Sequence, residues 1–231
     1  MGVLEHSVVV VAGASAGMGR AVAQRCAAEG AQVVMLARGA ARLGEVAGVV
    51  GHDARPIACD LAEPDSVRRA FGEIGDRFGR IDALLYVAGV ARIRRIEDAS
   101  DDDIATVFGA NLLGPVYATR AATPLLRAAG GGDIVYVSSE IVDDYLPRMV
   151  LYGALMRAGF SGSIRVIIFD ASECTKVAKE NKQRRRRERL RYLGLIVSRR
   201  LSVAKGISSF NVGMSTARQR RDTCSGLRRQ K

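Results

Sequence analysis

The sequence predicts an α/β fold: a doubly wound parallel sheet with helices on both faces, three layers in all. Two observations predict it. Short, continuous apolar runs alternate with segments of helical spacing as far as about residue 150, which implies successive βαβ units. The first run is also joined to the first helical segment by a glycine-rich turn.

Residues 7–12 form an unbroken, β-branched apolar run, the pattern of a strand buried on both faces. Residues 18–29 place Ala, Val and Cys at helical spacing and stop at Gly30, a C-terminal stop signal. Residues 32–36 read as a second strand, and residues 40–50 as a helix weakened by Gly44 and Gly48. A short third strand, 55–59, leads to Asp60. Pro64 fits the first turn of a helix running to Phe78. Residues 81–87 give a fourth strand. Ser100 caps a helix that opens Asp101-Asp102-Asp103, where carboxylates suit the positive end of the helix dipole. That helix is expected to continue to Ala129 through a break or kink between Gly109 and Pro115. Residues 134–137 are a fifth strand, and residues 164–169 read as a sixth. The expected layout is one domain over residues 1–170, followed by a basic segment, 171–231, with no sustained period and with the last strands missing or irregular.

Charge divides the chain in the same place. Residues 1–150 carry 15 Arg, no Lys and 19 acidic groups, a net −4; residues 151–231 carry 15 Arg, 5 Lys and 5 acidic groups, a net +15. The four cysteines, Cys26, Cys59, Cys174 and Cys224, have no metal-ligand spacing, so reduced thiols and no metal are expected. No apolar stretch reaches the roughly 18 residues of a membrane helix. The run near the N-terminus is too short for a signal-peptide core and lacks a basic lead. A cytoplasmic protein without a membrane partner is the expectation.

The glycine turn reads Gly13-Ala14-Ser15-Ala16-Gly17-Met18-Gly19. A loop that only needs positive φ would look the same in isolation. Between a strand and a helix, glycine serves a further purpose: the backbone can approach a pyrophosphate with no Cβ in the way, while the helix points free N–H groups at it. Gly13, Ser15, Gly17, Met18 and Gly19 are therefore candidate phosphate contacts in a Rossmann-type fold.

Several further motifs stand in order. The chain resembles the short-chain dehydrogenase/reductase family, whose glycine motif has this spacing. Asp60 matches the family aspartate at the adenine ring. Ala88 and Gly89 match the end of its Asn-Ala-Gly motif, with Val87 in place of the asparagine. Asn111, in Asn-Leu-Leu-Gly, matches the helix asparagine that holds a proton-relay water. Ser139, in Val-Ser-Ser, and Tyr152, thirteen positions later, match the catalytic serine and tyrosine. The resemblance spans about residues 5–154. It implies hydride transfer between a nicotinamide and a small carbonyl or alcohol substrate, with dimers or tetramers as the expected assembly.

In that family the end of the second strand chooses the dinucleotide. Ala37 stands where an acid would hold the ribose of NAD, and Arg38 follows. An Arg fork can pair with the 2′-phosphate of NADP, so NADP(H) is expected over NAD(H). The plain alternative is a solvated surface arginine.

The resemblance assigns Tyr152 as acid/base and Ser139 as a hydrogen bond to the substrate oxygen. A free tyrosine has a pKa of about 10, so its phenolate needs a nearby positive charge. The family supplies a lysine four residues on; here that residue is Met156, which has neither charge nor donor. Arg157 is rotated by about 140° from Tyr152 on a regular helix, away from the required face. Activity is expected to be very low or absent. The alternative is a dinucleotide-binding protein without catalysis.

Three readings of the basic segment stay open. Arg184-Arg185-Arg186-Arg187 suits a nucleic-acid patch, although only Tyr192 is near enough to interleave with it. A solvated tail is the second reading. The third is a shifted reading frame or rearranged gene, motivated by late lysines, the lack of proline after Pro147, and only twelve positions from Tyr152 to Ile164. An incomplete sheet with an uncovered edge and a low-melting product is then expected.

Overall fold

The computed structural model describes residues 2–51, 54–137, 139, 148–159 and 165–169. Six strands and six helices are seen among them: β1 Val8–Ala12, α1 Gly17–Ala28, β2 Gln32–Ala37, α2 Ala40–Val50, β3 Ala54–Ala58, α3 Pro64–Phe78, β4 Ala83–Tyr86, α4 Asp101–Phe108, α5 Gly114–Ala128, β5 Gly132–Tyr136, α6 Val150–Gly159 and β6 Arg165–Phe169. The strands form one sheet in the order β3-β2-β1-β4-β5-β6.

Alternation along each strand explains the layers, because successive side chains point to opposite faces. Val9 and Val11 of β1, Val33 and Met35 of β2 and Leu85 of β4 pack against Val22 and Cys26 of α1 and Leu43 and Val46 of α2. Val10, Leu36, Leu84 and Ile134 point the other way, onto Phe71 and Ile74 of α3 and Ala118 and Leu126 of α5. Both faces are covered, so every residue of β1 is buried. This is the three-layer, doubly wound Rossmann-type fold.

The sheet is parallel from β3 to β5. β6 departs from the expected all-parallel sheet: it runs antiparallel to β5, with Arg165 opposite Tyr136 and Phe169 opposite Gly132. A ten-residue helix spans only about 15 Å. The chain after α6 meets β5 at that strand's carboxyl end and pairs with it running back.

The long fourth helix is not broken between Gly109 and Pro115. Residues Gly109–Leu113 form a π-turn that the backbone enters and leaves with helical dihedrals: φ is −64° at Phe108 and −57° at Gly114. One extra residue in the turn shifts the faces of α4 and α5 relative to each other. Ser100 caps α4, accepting from the Asp103 N–H, while Asp103 returns a bond to the Ser100 N–H. The basic segment, the Ile164 position and the readings attached to them lie outside the described residues.

Candidate functional site

Strand order reverses between β1 and β4, since β1 is followed by β2 on one side and β4 lies on the other. The loops leaving their carboxyl ends diverge there and open a cleft, the place where ligands bind in open α/β sheets. The cavity measures about 800 Å³.

The glycine turn forms its floor. Gly13 has φ of +90°, and a Cβ there would lie 2.6 Å from the Ala88 nitrogen. The turn after β1 and the loop after β4 can touch only because that side chain is missing. A Cβ on Gly19 would sit 2.0 Å from the Gly13 carbonyl oxygen, so α1 starts hard against the turn. At the head of α1 the N-cap is Ala16, with no side-chain cap and no acidic residue in the first turn. The helix's first N–H groups and its dipole are thus left for an external anion. This cradle fits the phosphates of a dinucleotide on both shape and charge.

All nine residues expected to contact the cofactor line this one cleft: Gly13, Ser15, Gly17, Met18, Gly19, Arg38, Asp60, Ala88 and Gly89. The Asp60 carboxylate accepts from the Ala62 N–H at 3.0 Å, while Ser66 Oγ accepts from the Asp60 N–H. Arg38 is exposed at the rim and has no ion-pair partner among the described residues.

Sequence reasoning missed other parts of the lining, notably Arg42, Cys59, Tyr86 and Val90. Arg42 lies in the first turn of α2, immediately after the β2 edge that presents Arg38. The adjacency of β2's end and α2's start was the signal that could have found it. Burial pushes the Cys59 thiol above its usual range, a shift only partly offset by its hydrogen bond with Ser66. Tyr86 is 3% exposed. Burial and the neighbouring Cys59, Asp60 and Tyr136 raise its phenol well above the normal tyrosine range, so it remains a hydrogen-bond donor.

Asn111 sits in the π-turn and is 3% exposed. Its Oδ1 accepts from the Val90 N–H at 3.0 Å, and its Nδ2 donates to the Val90 carbonyl at 2.7 Å. The side chain therefore grips the loop that walls the cleft. Ser139 lies just past the end of β5 and Tyr152 in α6; both are half-buried, and neither lines the cleft floor. α6 packs beside α4 and the π-turn, which brings the Tyr152 helix against the element that carries Asn111. Residues 140–147, between Ser139 and Tyr152, lie outside the described residues, and so do the readings placed on the Met156 and Arg157 side chains.

The loop after β4 is tied down at its far end as well. Arg92 Nε and Arg94 Nε share the Asp103 carboxylate at 3.2 Å and 2.8 Å. Burial opposes ionisation of Asp103, but the bonds from Ser100 and the charges of Arg94 and Arg92 outweigh it and hold the carboxyl below its usual range. The Arg94 N–H donates to the Arg148 carbonyl at 2.7 Å, joining this loop to the turn before α6.

Comparison with known proteins gives a consistent result. A 3beta-hydroxysteroid dehydrogenase of Mediterraneibacter gnavus is 33% identical over 174 residues, 74% of this chain and 62% of that protein. A D-threitol dehydrogenase of Mycolicibacterium smegmatis is 34% identical, over 65% of this chain and 59% of its own length. The chain thus spans less than two thirds of the length of these curated relatives. Among solved structures, an alcohol dehydrogenase from the archaeon Thermococcus sibiricus, complexed with 5-hydroxy-NADP, superposes with a TM-score of 0.62 at 26% identity, covering 66% of each chain. The short chain dehydrogenase family matches residues 7–180, three quarters of the sequence, and this chain belongs to that family of oxidoreductases.

Proposed function

We propose that the cleft binds NADP(H), and that the chain is by descent a carbonyl or alcohol oxidoreductase whose turnover is impaired at position 156. One observation carries the cofactor choice: Arg38 stands at the rim of the cleft with its guanidinium unpaired among the described residues, and no acid stands at Ala37 or Gly39. A planar fork there recognises a 2′-phosphate, and nothing beside it in β2 favours the ribose hydroxyl of NAD instead. The relative complexed with an NADP analogue supports the same choice.

Bound in this cleft, the dinucleotide supplies the hydride. The chain's own residues do the rest. Gly13, Ser15, Gly17, Met18 and Gly19 would hold the phosphates, Asp60 would meet the adenine, and Ala88 and Gly89 complete the lining. Ser139 hydrogen-bonds the substrate oxygen and Tyr152 exchanges a proton with it, while Asn111 holds Val90 on the cleft wall. Met156 brings no positive charge to the Tyr152 phenol. That favours a second reading, dinucleotide binding without turnover, which the same site supports.

The sequence has no Trp, so NADPH fluorescence can be followed with little protein background. NADPH is expected to bind more tightly than NADH, and Arg38→Ala to remove about 10- to 100-fold of that advantage, the worth of a charged hydrogen bond to phosphate. Equal affinity for the two, unchanged in Arg38→Ala, refutes the NADP assignment.

A further inference from the structure

The π-turn between α4 and α5 has a hydrogen-bond deficit written into its sequence. In a π-turn each carbonyl accepts from the N–H five residues on. Gly114 N–H meets the Gly109 carbonyl in this way. The next rung would join the Ala110 carbonyl to the N–H of residue 115. Residue 115 is proline and has none.

Tyr86 fills the gap. Its hydroxyl reaches over from the end of β4 and donates to the Ala110 carbonyl at 2.8 Å. The fit leaves no slack: a Cβ on Gly114 would lie 2.3 Å from the Tyr86 oxygen. The carbonyl that Tyr86 holds belongs to the peptide unit joining Ala110 to Asn111. Asn111 in turn grips both backbone groups of Val90 on the cleft wall.

We propose that Tyr86 is a positioning residue: its hydroxyl replaces the N–H that Pro115 lacks, and so holds the π-turn in the register at which Asn111 clamps Val90. β4, the π-turn and the cleft loop then form one mechanically linked unit. The identity of the cofactor plays no part in this linkage.

Amide hydrogen exchange on the full chain tests it without any ligand. Tyr86→Phe keeps the ring and removes the donor. Protection at Val90 and Gly114 is expected to fall about five- to tenfold beyond any change at Val10 and Leu84 in the sheet core, the effect of leaving one acceptor unmet. Pro115→Ala restores a backbone N–H. Added to Tyr86→Phe it is expected to return most of the lost protection, while the same change in the parent does much less. A phenol that merely fills space predicts uniform loosening and no rescue, and either result overturns the proposal. Should Tyr86→Phe fail to fold alone, the double variant decides: recovery of the folded state supports the linkage, and failure to recover overturns it. NADPH titration of the parent stands apart, so failure of the cofactor reading and failure of this one are separately visible.

Discussion

At the switch point between β1 and β4, the groups proposed to hold a cofactor's phosphates are mostly backbone: the glycine turn, the open N–H groups of α1 and the loop at Ala88 and Gly89. At the end of β5 and in α6 the candidate groups are side chains, Ser139 and Tyr152, each with one oxygen able to do chemistry. A binding site made of backbone depends on absences, on Cβ atoms that are not there. A catalytic site made of side chains depends on individual presences. On the proposed function, Met156 in place of a lysine leaves the first region whole and the Tyr152 phenol without the positive charge it needs.

The sharpest way to break this contrast is to add a single methyl to the first region. Gly19→Ala places a Cβ about 2.0 Å from the Gly13 carbonyl oxygen, which neither backbone can accommodate in place. NADPH binding is expected to fall by more than about 100-fold, with a lower unfolding midpoint, in a fluorescence titration paired with a thermal melt. Binding at the parent level would show that the turn is not the cradle.

Restoring one side chain should do the converse in the second region. Met156→Lys is expected to raise NADPH-dependent reduction of simple ketones by about 100-fold or more over the parent, and Tyr152→Phe in that background to remove the gain. If the lysine variant binds NADPH and turns nothing over, binding without catalysis becomes the function.

The smallest effect concerns the loop between the two regions. The Asp103 carboxyl is held below its usual range in the folded chain by Ser100, Arg94 and Arg92. A depressed folded value gives stability that is present above the unfolded carboxyl pKa of about 3.9 and lost as pH falls through the folded one. The parent is therefore expected to be more stable than Asp103→Asn at pH 7, with the difference shrinking at the acid end of a denaturation series. A difference independent of pH would mean that the ion pairs with Arg92 and Arg94 do not stabilise the loop.

Much of the sheet was legible because local and global preferences agree in it. β1, β2 and β4 are apolar, and β1 and β2 rich in valine, because they are buried on both faces. The helix from Pro64 to Phe78 carries its start signal in proline and its stop in Gly79, which takes φ of +66°. The gathering of the cofactor candidates in one cleft was legible too, since positions following parallel strands converge at one edge of the sheet. The irregular places were not. A kink between Gly109 and Pro115 was readable from glycine and proline; that it would be a π-turn, with Tyr86 supplying the missing donor, depended on an atom 24 positions away. The antiparallel direction of β6 depended on where the chain after α6 meets the sheet, which the five residues of the strand do not encode.

What the sequence determined by itself is the set of short-range facts: strand and helix periods, the cap at Ser100, the helix start at Pro64, the glycine turn, and the absence of a lysine at position 156. These are chemistry within about one helical turn or one strand, and they can be read without coordinates. What only the tertiary structure decided is which distant groups meet: Gly13 against Ala88, Asn111 on Val90, Tyr86 on Ala110, Arg92 and Arg94 on one carboxylate. Such contacts follow from the register of the sheet and the angle of the helices on it, and those are set by packing the whole core at once.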